Sequence, residues 1–218
     1  MTTARVRYQT VEFDNYDIHL RTLFDNQQYD DSKGEAEALG ISSASWPLFG
    51  IVWPSGLVLA HYLSDYQVEN KRILEVGCGI GLSSLLLNAR HANVTATDYH
   101  PEAGRFLAEN VRLNKGQSIP FTRVDWNDGE TVLGQFDMIV GSDLLYEAEH
   151  IALLSDFIAA HAKPQCEVIL VDPGRGQQSR FSKKMMAYGF ACQQSVPVHT
   201  DFLEKPFKGR IWKFNRAA

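Results

Sequence analysis

Three alternating glycines, Gly77, Gly79 and Gly81, follow Glu75, and Asp98 stands 21 residues beyond Gly77. Glycine enters left-handed backbone angles and, lacking a Cβ, lets a ligand come close to the main chain. Amides at the start of a following helix point at whatever sits in such a turn. A carboxylate at the end of the next parallel strand lies on the same sheet edge, where open α/β folds bind ligands, and it can accept both hydroxyls of a ribose. The pattern therefore points to recognition of a nucleoside-bearing cofactor. It is G-x-G-x-G, not the dinucleotide form G-x-G-x-x-G, because position 82 is Leu. A turn that only lets strand and helix pack closely would use the same glycines. Two further groups carry polar chemistry after apolar runs: Asp125-Trp126, and Ser142-Asp143 with Tyr146.

Elements that would position these residues alternate regularly from Lys71 onward. Arg72–Val76 and Asn93–Thr97 are apolar strands, separated by a helix over Leu82–Arg90. Pro101 suits the first turn of a helix running to Val111. A third strand is predicted over Pro120–Val124, a central one over Phe136–Gly141 and a buried one over Cys166–Val171. Helices are expected over His150–His161 and Phe181–Tyr188, and a closing hairpin over Ala191–Val198 and Arg210–Phe214. Such strand–helix units build a mostly parallel α/β sheet of about seven strands, covered on both faces.

Upstream, Arg5–Val11 and Tyr16–Leu20 alternate as the strands of a hairpin turning at Asp14-Asn15. Asp25–Gly40 is polar and reads as a loop. Two prolines exclude a regular helix through Trp46–Pro54, and Ser55 is placed to cap a helix continuing through Leu63. The division expected is an N-terminal extension over 1–45 and a main domain over 46–218.

Glu75–Gly81 with Asp98 resembles the cofactor motif of seven-stranded S-adenosylmethionine-dependent methyltransferases. That resemblance implies a doubly wound class I (Rossmann-like) sheet of order 3-2-1-4-5-7-6 with one antiparallel strand. It also implies a cofactor site of Glu75, the three glycines and Asp98 on the adenosyl ribose. Asp125 matches the position that meets the adenine amino group, and Trp126 follows where it could lie against the adenine ring. Capping of a turn and core packing would account for these two equally. Val52-Trp53-Pro54-Ser55-Gly56 together with Ser142-Asp143-Leu144-Leu145-Tyr146 narrows the similarity to the branch that methylates lysines of non-histone proteins. The resemblance extends over roughly 46–214 and implies Trp53 and Ser142 near the cofactor, with Asp143 and Tyr146 of the Asp-x-x-Tyr element on the acceptor side. Asp172-Pro173-Gly174-Arg175 resembles a turn of electron-transfer-flavoprotein lysine methyltransferases, although an internal Asp172–Arg175 ion pair would explain the same residues.

S-adenosylmethionine carries an electrophilic sulfonium methyl and becomes S-adenosylhomocysteine, so neither metal nor covalent nucleophile is called for. The enzyme must align sulfur, methyl and an incoming lone pair, and a lysine acceptor must first lose a proton. If Ser142–Tyr146 is helical, Asp143 and Tyr146 share one face, Asp143 holding the amine and Tyr146 walling the channel. Capping by Asp143 and packing by Tyr146 form the alternative. The cofactor motif does not separate a protein lysine from a small-molecule amine or hydroxyl, nor from a non-catalytic binding or protein-interaction module.

A formal charge of -5 argues mildly against non-specific binding to nucleic acid or anionic membrane, and no Asn-Pro-Pro-aromatic element or basic aromatic arm is present. No run approaches about 18 apolar residues. Cys78, Cys166 and Cys192 have neither disulfide-framework nor zinc-site spacing. A reducing cytoplasmic setting and a monomer are expected.

Overall fold

The alternating segments at the start pair as expected. In the computed structural model β1 (Val6–Phe13) and β2 (Tyr16–Leu23) form an antiparallel hairpin in which Phe13 faces Tyr16. The structure describes residues 5–26, 31–129, 132–146 and 150–217. Ile18, Leu20 and Leu23 of β2 are buried in the same apolar cluster as Leu59, Ile73, Leu86 and Leu107. Two asparagines of α4 (Ala103–Leu113) and its C-terminal cap complete the open edge of β2. Asn110 accepts the Arg21 amide at 2.7 Å, and Asn114 accepts the His19 amide at 2.8 Å and donates to the His19 carbonyl at 2.6 Å. The Asn110 side chain also donates to the Ile80 carbonyl at 3.1 Å, so the hairpin is tied directly to the glycine turn. Side-chain amides carry one acceptor and two donors, which lets them stand in for a neighbouring strand.

The region read as a loop over Asp25–Gly40 contains a short helix, α1 (Glu35–Ala38); residues 27–30 of that expected loop lie outside the described residues. Trp46–Gly50 is a 3-10 turn and α2 is Pro54–Ser64. Ser55 does not cap α2. The cap position is Trp53, in extended conformation, and Ser55 sits one residue inside the helix, 1% exposed, its hydroxyl without a hydrogen-bond partner. Proline at the first helical position goes with a cap two residues earlier than expected, since its missing N–H costs nothing there. Trp46–Ser64 reaches the length and mean hydropathy (1.2) of a membrane span, contrary to the run count above. The stretch is broken by extended backbone at Ile51 and Trp53, and 44% of it is buried inside the fold.

The remaining strands are β3 (Arg72–Val76), β4 (Asn93–Asp98), β5 (Phe121–Arg123), β6 (Phe136–Ser142), β7 (Ala162–Asp172), β8 (Ala191–Ser195) and β9 (Arg210–Arg216). They make one seven-stranded sheet of order β5-β4-β3-β6-β7-β9-β8. Numbered from β3, this is 3-2-1-4-5-7-6. β9 runs antiparallel to both of its neighbours, and the other pairings are parallel. α3 (Leu82–Ala89), α5 (His150–His161) and α6 (Gln178–Ala187) complete the helices. Leu74 and Ile139 belong to one buried cluster, with Phe157 and Phe181, while Ile73 and Met138 belong to the other, with Leu59 and Leu86. Successive strand residues point to opposite faces, so a sheet with an apolar cluster on each side is doubly wound. Pro101 lies in the turn before α4 rather than in its first turn; the cap is Glu102.

Candidate active site

The carboxyl ends of β3, β4, β6 and β7 form one edge, and the residues singled out above gather there. Gly77, Gly79 and Gly81 all have positive φ, at 64°, 53° and 81°. Gly79 cannot be enlarged, because a Cβ there would lie 2.8 Å from the Phe49 carbonyl oxygen. Asp98 staples this turn to the end of β4: Oδ2 accepts the Gly79 amide at 2.7 Å and Oδ1 the His100 amide at 2.8 Å. Burial pushes its carboxyl above the usual range, while the His100, Gly79 and Tyr99 amides pull the other way. A carboxylate has roughly four acceptor positions, so the two amides bonded at 2.7 and 2.8 Å leave capacity for two ribose hydroxyls. The Phe49 ring stacks on His100 at 3.8 Å and 15°. Burial lowers the His100 pKa to about 4, which keeps the ring neutral at ordinary pH. Neither Phe49 nor His100 was singled out in the sequence; the short step from Asp98 to His100 was the available signal.

Glu75 faces the helix rather than open solvent. It is 4% exposed, and its Oε2 accepts the Ser84 amide at 2.8 Å and the Ser84 hydroxyl. Ser84 lies in the first turn of α3, where an amide otherwise has no intrahelical partner. Burial, the largest cause, raises the Glu75 pKa to about 7, with the Ser84 bonds opposing. A carboxyl raised on folding binds its proton more tightly in the native chain. Its contribution is therefore lost as pH climbs from the unfolded value of 4.5 to about 7. Glu75→Gln keeps an acceptor for Ser84 and removes the charge. Measured by urea unfolding, the variant should gain stability relative to the unaltered protein between pH 5 and pH 8, by about 3 kcal/mol in all. A stability difference independent of pH would show that Glu75 is not the titrating group.

At the end of β6 the structure departs from expectation. Ser142 closes β6, Asp143–Tyr146 is not helical, and Asp143 has φ 56°. Asp143 and Tyr146 therefore do not share a helix face, and Asp143 does not cap a helix. A left-handed aspartate is uncommon and costs backbone energy, which is tolerated where the surroundings over-determine it. Here the Asp143 amide donates to the Val171 carbonyl at 2.9 Å. Oδ1 of Asp143 accepts the Nε–H of Arg175 at 3.0 Å and forms an ion pair with its Nη2 at 2.8 Å. The ion pair expected between Asp172 and Arg175 is thus made by Asp143 instead. Oδ1 of buried Asp172 accepts the Gly174 amide at 2.7 Å, the Arg175 amide at 3.4 Å and the Gln178 side-chain amide. Burial raises the Asp143 pKa, Arg175 lowers it and Asp172 adds to the rise.

Arg175 also lies 5.7 Å from the centre of the Tyr146 ring, within cation–π range. Tyr146 meets His150 edge-on at 5.6 Å, and His150 meets Trp126 at the same distance. Trp126 thereby joins the Asp143–Tyr146 group. Asp125 is exposed, its Oδ1 accepting the Asn127 amide at 2.9 Å, and does not touch that group. The Trp53 indole donates to the Leu48 carbonyl at 2.8 Å. Ser142 faces α2, since a Cβ on Gly56 would be 3.6 Å from its hydroxyl. Gly77 and Leu144 pack tightly enough to join the two halves of the edge. His150 and the cross-strand role of Arg175 could not be seen from spacing, because each depends on a partner set by sheet order.

A family model described as "Lysine methyltransferase" matches residues 43–187. The electron transfer flavoprotein beta subunit lysine methyltransferase of Rattus norvegicus is 33% identical over 162 residues, covering 71% of this chain and 61% of the relative. Its Xenopus laevis counterpart is 33% identical over 137 residues, covering 61% and 55%. Arabidopsis thaliana calmodulin-lysine N-methyltransferase is 28% identical over 174 residues, covering 74% and 54%. The matches thus span less than two thirds of these relatives. Among solved structures, magnesium protoporphyrin IX methyltransferase from Synechocystis PCC 6803 with bound SAM has a TM-score of 0.58 at 21% identity, covering 75% of this chain and 78% of that one. The T. Thermophilus 16S rRNA N2 G1207 methyltransferase in complex with AdoMet and guanosine reaches 0.63 at 15% identity, covering 99% and 52%. At these identities the structural likeness concerns the fold.

Proposed function

The chain belongs to the lysine methyltransferase family, and from that membership we propose that it transfers a methyl group from S-adenosylmethionine to a lysine amine of a protein. The observation that carries this reading is the single sheet edge that unites the Asp98-stapled glycine turn with the Asp143–Tyr146 group. The residues fit the cofactor: a turn of three glycines at positive φ, a carboxylate at the next strand end, and the neutral Phe49–His100 stack beside it. Bound there, the cofactor would supply an electrophilic methyl.

This chain's residues would then orient the acceptor. Lysine is an ammonium at neutral pH and has no lone pair until it loses a proton. Asp143 accepts an N–H of the amine, and Tyr146, about half exposed, lines its approach. The amine held by Asp143 would take the methyl that the cofactor supplies, in exchange for its bond to sulfur. The nitrogen's surplus proton passes to water. Asp125, Trp126, Trp53 and Ser142 complete the surroundings in this reading, which also sets the reaction in a reducing cytoplasm, consistent with the three free thiols.

Incubation with methyl-labelled S-adenosylmethionine and a lysate freed of small molecules tests the proposal. Label on protein lysines, located by mass spectrometry, is the expected result. Label recovered only in RNA or in restored small metabolites would refute the acceptor class.

A further inference from the structure

The acceptor carboxylate is already occupied by a cation. Oδ1 of Asp143 accepts the Nε–H of Arg175 and pairs ionically with its Nη2, and the same guanidinium lies over the Tyr146 ring. The arrangement is built rather than accidental: the turn carrying Arg175 is gathered by Oδ1 of Asp172, through the Gly174, Arg175 and Gln178 donors. Arg175 keeps its side chain 46% exposed, while that of Asp143 is 11% exposed. A protein that bound lysine only by charge would leave this carboxylate bare. Bare, it would hold the ammonium, the form that cannot attack.

We propose that Arg175 is a positioning residue that sets the specificity of the acceptor pocket for the neutral amine. It engages Oδ1 of Asp143 and leaves Oδ2 to accept an N–H, while its charge offsets that of the carboxylate. The inference rests on the reading of the acceptor as an alkyl amine. Among the described residues, the charged and titratable groups around Asp143 are Arg175 and Asp172 from the end of β7 and its loop, Tyr146 from the segment after β6, and His150 at the start of α5. Among the described residues here, two carboxylates and one guanidinium sum to a charge of about -1, and removing the guanidinium makes that sum one unit more negative. The second arrangement favours an ammonium more strongly. An opposite charge within contact distance moves a neighbouring pKa by about 1–3 units. Removing Arg175 should therefore raise the pKa of a bound amine by at least about one unit.

n-Butylamine serves as the probe, because it reproduces the end of a lysine side chain. Its binding to the full chain, saturated with S-adenosylhomocysteine, would be followed by NMR between pH 7.5 and pH 10. With the unaltered protein, apparent affinity should rise with pH as the neutral amine accumulates, approaching tenfold per unit below the amine pKa of about 10.4. In Arg175→Met the whole rise between pH 7.5 and pH 10 should shrink at least about threefold, and Arg175→Lys, which keeps the positive charge, should restore most of it. Unchanged S-adenosylhomocysteine affinity in both variants would show that the fold is intact.

Equal pH dependence in the unaltered protein and Arg175→Met overturns the role given to Arg175, as does the absence of saturable n-butylamine binding to the unaltered protein. Neither result bears on the lysate experiment. Label on lysines with no Arg175 effect removes this inference alone, whereas label absent from lysines removes the reading beneath it.

Discussion

Asp98→Ala is expected to lower S-adenosylhomocysteine affinity at least about a hundredfold while leaving a folded protein. The carboxylate acts twice. It would accept ribose hydroxyls, each charge-assisted bond contributing about 1.5–3 kcal/mol, and two such bonds correspond to about two to four decades in Kd. It also accepts the Gly79 and His100 amides at 2.7 and 2.8 Å, which hold the glycine turn against the end of β4. Alanine removes both functions, and the freed amides can be rehydrated only if the turn loosens. Titration calorimetry on the variant, with an unfolding curve as control, checks the expectation. Unchanged affinity would mean that Asp98 serves the turn alone. Asp98→Asn separates the two functions, because its one acceptor oxygen can retain an amide bond without the charge. It should therefore fall between the unaltered protein and alanine.

For Asp143→Asn the expectation is near-normal cofactor affinity with methyl transfer slowed at least about tenfold, or roughly 1.4 kcal/mol of transition-state stabilisation. Asparagine is the informative substitution because the backbone here has φ 56°, and asparagine visits left-handed angles more readily than most residues. Local strain is thus nearly unchanged. What goes is the negative charge, leaving Arg175 uncompensated beside an acceptor that must arrive near it. Single-turnover assays with the acceptor labelled in the lysate are required, since slow product release would mask a chemical defect. Tyr146→Phe should cost less if the ring only lines the channel, and more if its hydroxyl holds the nucleophile. Loss of cofactor binding by Asp143→Asn, with normal unfolding, would move Asp143 into the cofactor pocket.

Spacing pointed to Asp98 and resemblance to a family pointed to Asp143, and the extent of that legibility has a physical basis. The glycine turn, the strand before it and the helix behind it are local. Alternation of apolar residues, left-handed glycines and the helix that follows involve neighbours within a few positions. For the same reason the N-terminal hairpin was visible in Arg5–Val11 and Tyr16–Leu20, found as Val6–Phe13 and Tyr16–Leu23; so were His150–His161 and the closing pair Ala191–Val198 with Arg210–Phe214, found as Ala191–Ser195 and Arg210–Arg216. The order of strands was not visible in periodicity. It came from resemblance to a family, and the sheet agrees with it.

Where a residue's partner is far along the chain, the local signal failed or misled. Ser55 has the chemistry of a cap, but proline at the first helical position moved the helix start and left the serine inside it. Asp143 and Tyr146, three apart, suggested a helix face. Instead the Asp143 amide is held by Val171 of the adjacent strand, which turns the backbone into the left-handed region. Arg175 is three residues from Asp172 and 32 from Asp143, yet it pairs with the distant aspartate because parallel β6 and β7 bring their carboxyl ends together. Asn110 could be recognised as an ordinary helix residue; its bonds to Arg21 and Ile80 exist only once the hairpin lies on α4. The sequence by itself determined the elements and the candidate cofactor residues, since both are written in short-range pattern. The tertiary structure decided which charges meet, because ion pairs and buried amides depend on sheet order and packing, to which neighbouring residues carry no signal.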